Sequence, residues 1–96
     1  MSHKVECTIM LFYSNFNQES LKTRVVMHEF IGKHRHRFEI RTKEVNYDLE
    51  KNVSQKYGVR GTPEVLFIQN GILIRRHFGE ITPEEFRSIV EGISKL

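Results

Sequence analysis

One thiol, five imidazoles and a run of basic residues are the groups in this sequence that could do chemistry, and their spacing limits each of them. Cys7 is the single cysteine, so neither an internal disulfide nor a cysteine-rich zinc set can form. It sits in an apolar run over 5–13, on the side shared with Ile9 and Leu11. A buried cysteine there packs as a small apolar residue. His3, His28, His34, His36 and His77 are scattered; His34 and His36, two apart, could share a metal only from extended backbone. No metal site and no cofactor are expected. Ser20 would need a base within hydrogen-bond reach to act as a nucleophile. None of the histidines is placed to supply one, so Ser20 reads as a residue of a first helical turn. Lys33, His34, Arg35, His36 and Arg37 form a cluster extended by Arg41 and Lys43. Cations there complement the negative end of a helix closing near Gly32. The alternative is an anion or nucleic-acid patch with salt-sensitive binding. Only Phe38 interleaves with these charges, so a base-stacking platform is not evident.

The chain has 96 residues, 39% of them apolar, and a formal charge of +3. That is one domain over 1–96, with a core over about 5–94 and no room for a second. Its apolar runs fall short of the roughly 20 residues a bilayer span needs, and the opening MSHKVE lacks a secretory signal's apolar stretch. With a lone cysteine these features point to a reducing, cytoplasmic setting. Asn52-Val53-Ser54 matches a glycosylation sequon and reads as chance.

The positioning elements follow from periodicity and punctuation. The run at 5–13 is apolar on both sides, as a strand covered on both faces is. Polar residues follow, and Asn15 with Gln18 three residues on resembles a capping box opening a helix. Over about 23–31, Val26, Met27, Phe30 and Ile31 share one face while Leu21 and Val25 fall toward the other, implying a kinked helix or one buried on two sides. Phe38, Ile40 and Thr42 alternate with Glu39, Arg41 and Lys43, the pattern of a charged edge strand. Asn46-Tyr47-Asp48 ends it. Leu49, Val53 and Tyr57 then recur every four residues in a short helix that Gly58 can close. After a loop at 59–63, strands at 64–69 and 72–78 flank Asn70-Gly71, a strong hairpin signal. Thr82-Pro83-Glu84-Glu85 opens the last helix with a cap, a first-position proline and a capping-box glutamate. Phe86, Ile89, Val90 and Ile93 form its stripe. The order β-α-β-α-β-β-α, with a right-handed crossover and one hairpin, gives an α/β fold: a four-stranded mixed sheet with helices on both faces.

This order and the loop residues resemble the thioredoxin family over about 5–93. Asn46-Tyr47-Asp48 is similar to the family's strand end, Lys56-Tyr57-Gly58-Val59-Arg60-Gly61-Thr62-Pro63 to the segment entering its cis-proline, and Asn70-Gly71 and Gly79 to its hairpin and last turn. The chain resembles a minimal version that starts on the family's central strand, nearer glutaredoxins in size. The family's chemistry uses Cys-x-x-Cys after an aromatic residue. Here Phe16 holds the aromatic place, and Asn17, Gln18, Glu19 and Ser20 hold the four that follow. An amide and an unactivated hydroxyl cannot form the mixed disulfide that a thiolate forms. Leu11 stands where the family's buried acid would be, and Glu44 near the place of its accompanying lysine. Monothiol glutaredoxins keep the first cysteine, so the chain departs from them too.

The resemblance implies a redox-inactive thioredoxin-like domain that binds a protein or extended peptide in the groove between Phe16, Asn17, Gln18, Glu19 and Ser20 on one side and Val59, Arg60, Gly61, Thr62 and Pro63 on the other. Phe16 would offer apolar contact, Asn17 and Gln18 polar contact, Thr62 backbone hydrogen bonds, and Pro63 a shaped wall. Strand addition of this kind needs no thiol. Two alternatives stay open: a thiol-disulfide oxidoreductase or glutathione-linked enzyme of the same fold acting without Cys-x-x-Cys, and anion or nucleic-acid binding through the cluster at 33–43.

Overall fold

The run at 5–13 is apolar on both faces apart from Glu6, which is exposed, and half-buried Thr8, and it becomes an interior strand of the sheet. The structure, a computed structural model, describes residues 5–93; His3 and residue 94 of the expected core lie outside the described residues. In chain order the elements are β1 (Val5–Tyr13), α1 (Gln18–His34), β2 (Phe38–Asn46), α2 (Lys51–Lys56), β3 (Glu64–Gln69), β4 (Ile72–Phe78) and α3 (Pro83–Ile93). The sheet order is β2-β1-β3-β4. β2 runs parallel to β1, and the β1–β3 and β3–β4 pairs are antiparallel.

Successive β1 side chains go to opposite faces and both faces are covered. Cys7, Ile9 and Leu11 pack with Met27 and Phe30 of α1, Val65 and Phe67 of β3, and Phe86, Val90 and Ile93 of α3. Met10 and Phe12 pack on the other face with Val45, Val59 and Leu66, under the smaller cover of α2. Phe86 meets Phe67 edge-on at 5.6 Å and Phe30 at 5.1 Å. With Phe86 fully buried, its truncation to alanine costs roughly 3–5 kcal/mol.

Local signals terminate the elements. Thr82 and Glu85 form the reciprocal capping box: the Glu85 N–H donates to Thr82 Oγ1 (3.1 Å) and the Thr82 N–H to Glu85 Oε1 (2.9 Å). The Thr82 bonds hold the Glu85 carboxyl below its ordinary value. Gly58, at φ +70°, closes α2, and Asn70 and Gly71, at +54° and +77°, make the hairpin turn, where left-handed backbone matches the strand twist.

Five local expectations are corrected. The cap of α1 is Asn17, not Asn15. Gly32 does not end α1, which continues to His34; a glycine inside a helix weakens it without stopping it. Leu21 and Val25 are exposed, so α1 is buried along one face, through Ser20, Thr23, Met27 and Phe30. Leu49 precedes α2 and is 81% exposed, because the turn after β2 places it outside the helical repeat. In β2 the burial switches sides: Phe38 packs on the α1 face and Val45 on the α2 face, while Thr42 between them is exposed.

Candidate functional site

β1 and β2 run in the same direction, so the loops that follow both emerge at one end of the sheet. The segment entering β3 and the last residue of β4 return to that end, since Phe12 pairs with Glu64 and Glu64 with Phe78. Chain order alone thus brings 14–20, 46–50, 57–63 and 78–79 together.

A polar network fixes the first of these loops. The Ser14 N–H donates to Ser20 Oγ (3.0 Å), Ser14 Oγ donates to Asp48 Oδ2 (2.7 Å), and the Phe16 N–H donates to Ser14 Oγ (3.1 Å). Asn17 serves both sides of the gap. Its Oδ1 accepts the Ser20 N–H at 2.9 Å, capping α1, while its Nδ2 donates to Thr62 Oγ1 at 2.9 Å and reaches Thr62 O at 3.4 Å. An amide suits this place because it carries an acceptor for a helix N-terminus and a donor for the facing loop.

The facing loop is held from behind. The Thr62–Pro63 peptide bond is cis, and Pro63 O accepts the Gly79 N–H at 2.8 Å. At Gly61 a Cβ would stand 3.3 Å from the Phe78 ring, so the close approach of that ring explains the glycine. The Glu64 carboxylate, next in the chain, is buried against Arg76: Arg76 Nε donates to Glu64 Oε2 at 2.6 Å and Arg76 Nη2 donates to the Tyr57 carbonyl at 2.7 Å. One guanidinium therefore ties β3 and β4 to the end of α2, on both sides of the segment 58–63.

The ten residues expected at the groove do come to one end of the sheet, in different roles. Phe16 (88% exposed), Gln18, Glu19 and Arg60 face solvent, and Asn17, Gly61 and Thr62 are half-buried. Ser20 is fully buried, its hydroxyl turned to the Ser14 amide. It positions the loop and presents no surface, which corrects its expected contact role. Pro63 is buried too, and Val59 packs with Met10, Phe12 and Leu66. Beside the groove, Phe16, Tyr47, Asp48, Lys51, Ser54, Gln55 and Val59 line a cavity of about 480 Å³. Sequence reasoning missed Phe78, 68% exposed and packed beside Gly61; a plain count outward from Asn70-Gly71 sets His77 opposite Glu64, and only the bulge between Leu73 and Arg75 brings Phe78 there.

The other chemistry-bearing groups lie apart. Cys7 is buried near the start of β1, and burial pushes its thiol up to about 11, so it is protonated at neutral pH. Leu11 is fully buried among apolar residues. Glu44 pairs with Arg24 (2.7 Å) and His28 (3.1 Å) across the outside of α1 and β2. The basic cluster begins at the last turn of α1, at the opposite end of the sheet from the groove. There His34 packs on Phe30 at 4.5 Å, and Arg37 lies over Phe38 and 3.8 Å from Glu91. Among the described residues no three His, Cys, Asp or Glu side chains gather as a metal site, and no helix is long and apolar enough to cross a membrane.

A sheet ordered β2-β1-β3-β4, a cis-proline loop facing the first turn of a capped helix, and helices on both faces define a class. The family model for the thioredoxin-like domain matches residues 4–93. The chain belongs to the thioredoxin-like family. Among solved structures, thioredoxin-2 of the malaria parasite superposes with a TM-score of 0.83 at 13% identity, covering 95% of this chain and 86% of that one. A point mutant of thioredoxin from Halobacterium salinarum gives 0.82 at 15%, covering 96% and 78%. A structure described as a malarial protein gives 0.81 at 14%, covering 91% and 96%. No curated protein matches.

Proposed function

We propose that this domain binds an extended peptide or protein segment in the groove between 16–19 and 60–62, without thiol chemistry. The observation that carries this reading is the state of Thr62. Among the described residues its backbone N–H meets no acceptor, and its carbonyl receives only the 3.4 Å contact from Asn17. An extended chain laid along the loop gains both groups as partners, which is strand addition. Exposed Phe16 and Phe78 stand on either side of that loop and add apolar contact of the kind that anchors an interface. The redox-silent part is supported by Asn17 and Ser20 at the thiol positions, by Leu11 at the acid position, and by the buried, protonated Cys7.

Isotope-labelled protein titrated with pooled extended hexapeptides tests the binding: amide shifts should centre on 16–19, 60–62 and 78. Shifts confined to 33–43, or none at millimolar peptide, would overturn the reading. Insulin reduction tests the chemistry. No turnover is expected, and turnover that disappears in Cys7→Ala would show that the thiol works after all.

A further inference from the structure

The cavity beside the groove, about 480 Å³, falls in the size range of ligand pockets, and its lining discriminates by charge. Phe16 and Tyr47 give it two aromatic rings, and Val59, held by Met10, Phe12 and Leu66, an apolar base. Asp48 gives it a fixed, half-buried carboxylate. The Asp48 N–H donates to Asn46 Oδ1 (3.0 Å) and the Leu49 N–H reaches the same oxygen (3.3 Å), so the turn holds the residue by its backbone. Ser14 Oγ holds the side chain through Oδ2 alone (2.7 Å). Among the described residues Asp48 Oδ1 meets no donor and the carboxylate has no ion-pair partner. Lys51 lines the same cavity, yet it is exposed at the start of α2 and stays beyond ion-pair distance of Asp48. Ser54 spends its hydroxyl proton on the Glu50 carbonyl (3.1 Å). A carboxylate with one free oxygen, flanked by two rings, matches a cation that can stack and donate at once.

We infer that this cavity receives an arginine side chain of the bound segment. The inference rests on the groove between 16–19 and 60–62 being a peptide site, and it adds which peptides that site takes. Phe16 borders both groove and cavity, and Val59 leads into 60–62. A strand laid along the loop sends alternate side chains toward the domain, and the one that passes Phe16 on the α2 side enters the cavity. An arginine there rests its stem on Val59, sets its guanidinium against the Phe16 ring and donates to Asp48 Oδ1. The guanidinium suits the place better than an ammonium, being planar, more weakly hydrated and able to stack on a ring while it donates in its own plane. Lys51, on a long exposed stem, keeps its charge in solvent. A glutamate in the same position would face Asp48 directly, and a glutamine would keep the hydrogen bond without the charge.

Hexapeptides alike except for a central Arg, Gln or Glu, titrated into isotope-labelled protein, test the preference. The Arg peptide should bind about tenfold tighter than the Gln peptide and the Glu peptide weakest, with Arg shifting amides at 47–55 besides those at 16–19 and 60–62. Asp48→Asn keeps the side chain's volume and an acceptor for Ser14 Oγ, and should bring Arg and Gln to equal affinity. N-acetylarginine amide is too short to pair along the loop and so separates the cavity from the groove. At about 10 mM it should shift 47–55 in the wild type and not in Asp48→Asn. Peptides that shift 16–19 and 60–62 but bind alike with Arg and Gln overturn this inference and leave the groove standing. An arginine preference that survives Asp48→Asn does the same, as does N-acetylarginine amide that leaves 47–55 unmoved. Absence of every peptide shift overturns the groove, and this inference with it.

Discussion

Replacing Asn17 by alanine removes two separable functions of one side chain. The cap on the Ser20 N–H is worth about 1 kcal/mol and the bond to Thr62 Oγ1 about 1 kcal/mol more. For a domain of this size the sum of about 2 kcal/mol lowers Tm by roughly 8–16 °C. Asn17→Asp separates the two terms: it keeps the cap acceptor, adds a charge that the helix N-terminus favours by about 0.3–1 kcal/mol, and loses the donor to Thr62. Its net cost should therefore stay below about 1 kcal/mol. Urea unfolding of both variants, with Thr62→Val and the Asn17→Ala/Thr62→Val pair, completes a double-mutant cycle. Coupling of about 1 kcal/mol is expected. Coupling near zero, or an Asn17→Ala cost under about 0.5 kcal/mol, would refute the claim that this amide joins the two loops.

Arg76→Ala should cost about 2–3 kcal/mol in urea unfolding: breaking a buried pair is expensive, and the 40% exposure of the Arg76 side chain, against 8% for Glu64, tempers the effect. Pairing it with Glu64→Leu should recover part of that loss. The Cys7 thiol, raised from 9.0 to about 11, ionises earlier in the unfolded chain. Its contribution is thus whole below about pH 9 and disappears as pH climbs toward 11, on the order of 2 kcal/mol in all. Wild type should lose stability across that window more steeply than Cys7→Ala, and matching slopes would contradict the burial argument. Phe16→Ala should leave stability within about 0.5 kcal/mol while weakening peptide binding by about tenfold; an unchanged affinity would remove Phe16 from the groove.

Features written in a few adjacent residues were legible in the sequence. The α3 start needs only Thr82, Pro83 and Glu85, and the hairpin only Asn70 and Gly71, so each was read correctly along with the order of strands and helices. The first helix start was not decided locally. Asn15 and Asn17 are both capping types, and Asn17 caps α1 with its other end bonded to Thr62, 45 residues away. Distance in sequence also hid the roles within the site. Ser20 looks like an exposed first-turn serine until Ser14 is seen to fold back over it, and Val59 like a loop residue until Phe12 and Leu66 enclose it. The Glu64–Arg76 pair depends on hairpin register and on α2 ending beside it, which no local pattern records.

The unequal covering of the sheet has a kinetic consequence. Among the described residues, the face closed by α1 and α3 gathers a cluster of twelve buried residues, and the face closed by the six-residue α2 a cluster of five. Local opening starts where few apolar contacts must be broken, so amide protons of α2 and of 57–63 should exchange through small fluctuations. Those of β1 and β3 should wait for the whole domain to unfold. The proline loop borders the part of the molecule that opens first, and a segment bound there would register as slowed exchange throughout α2, at amides it never touches.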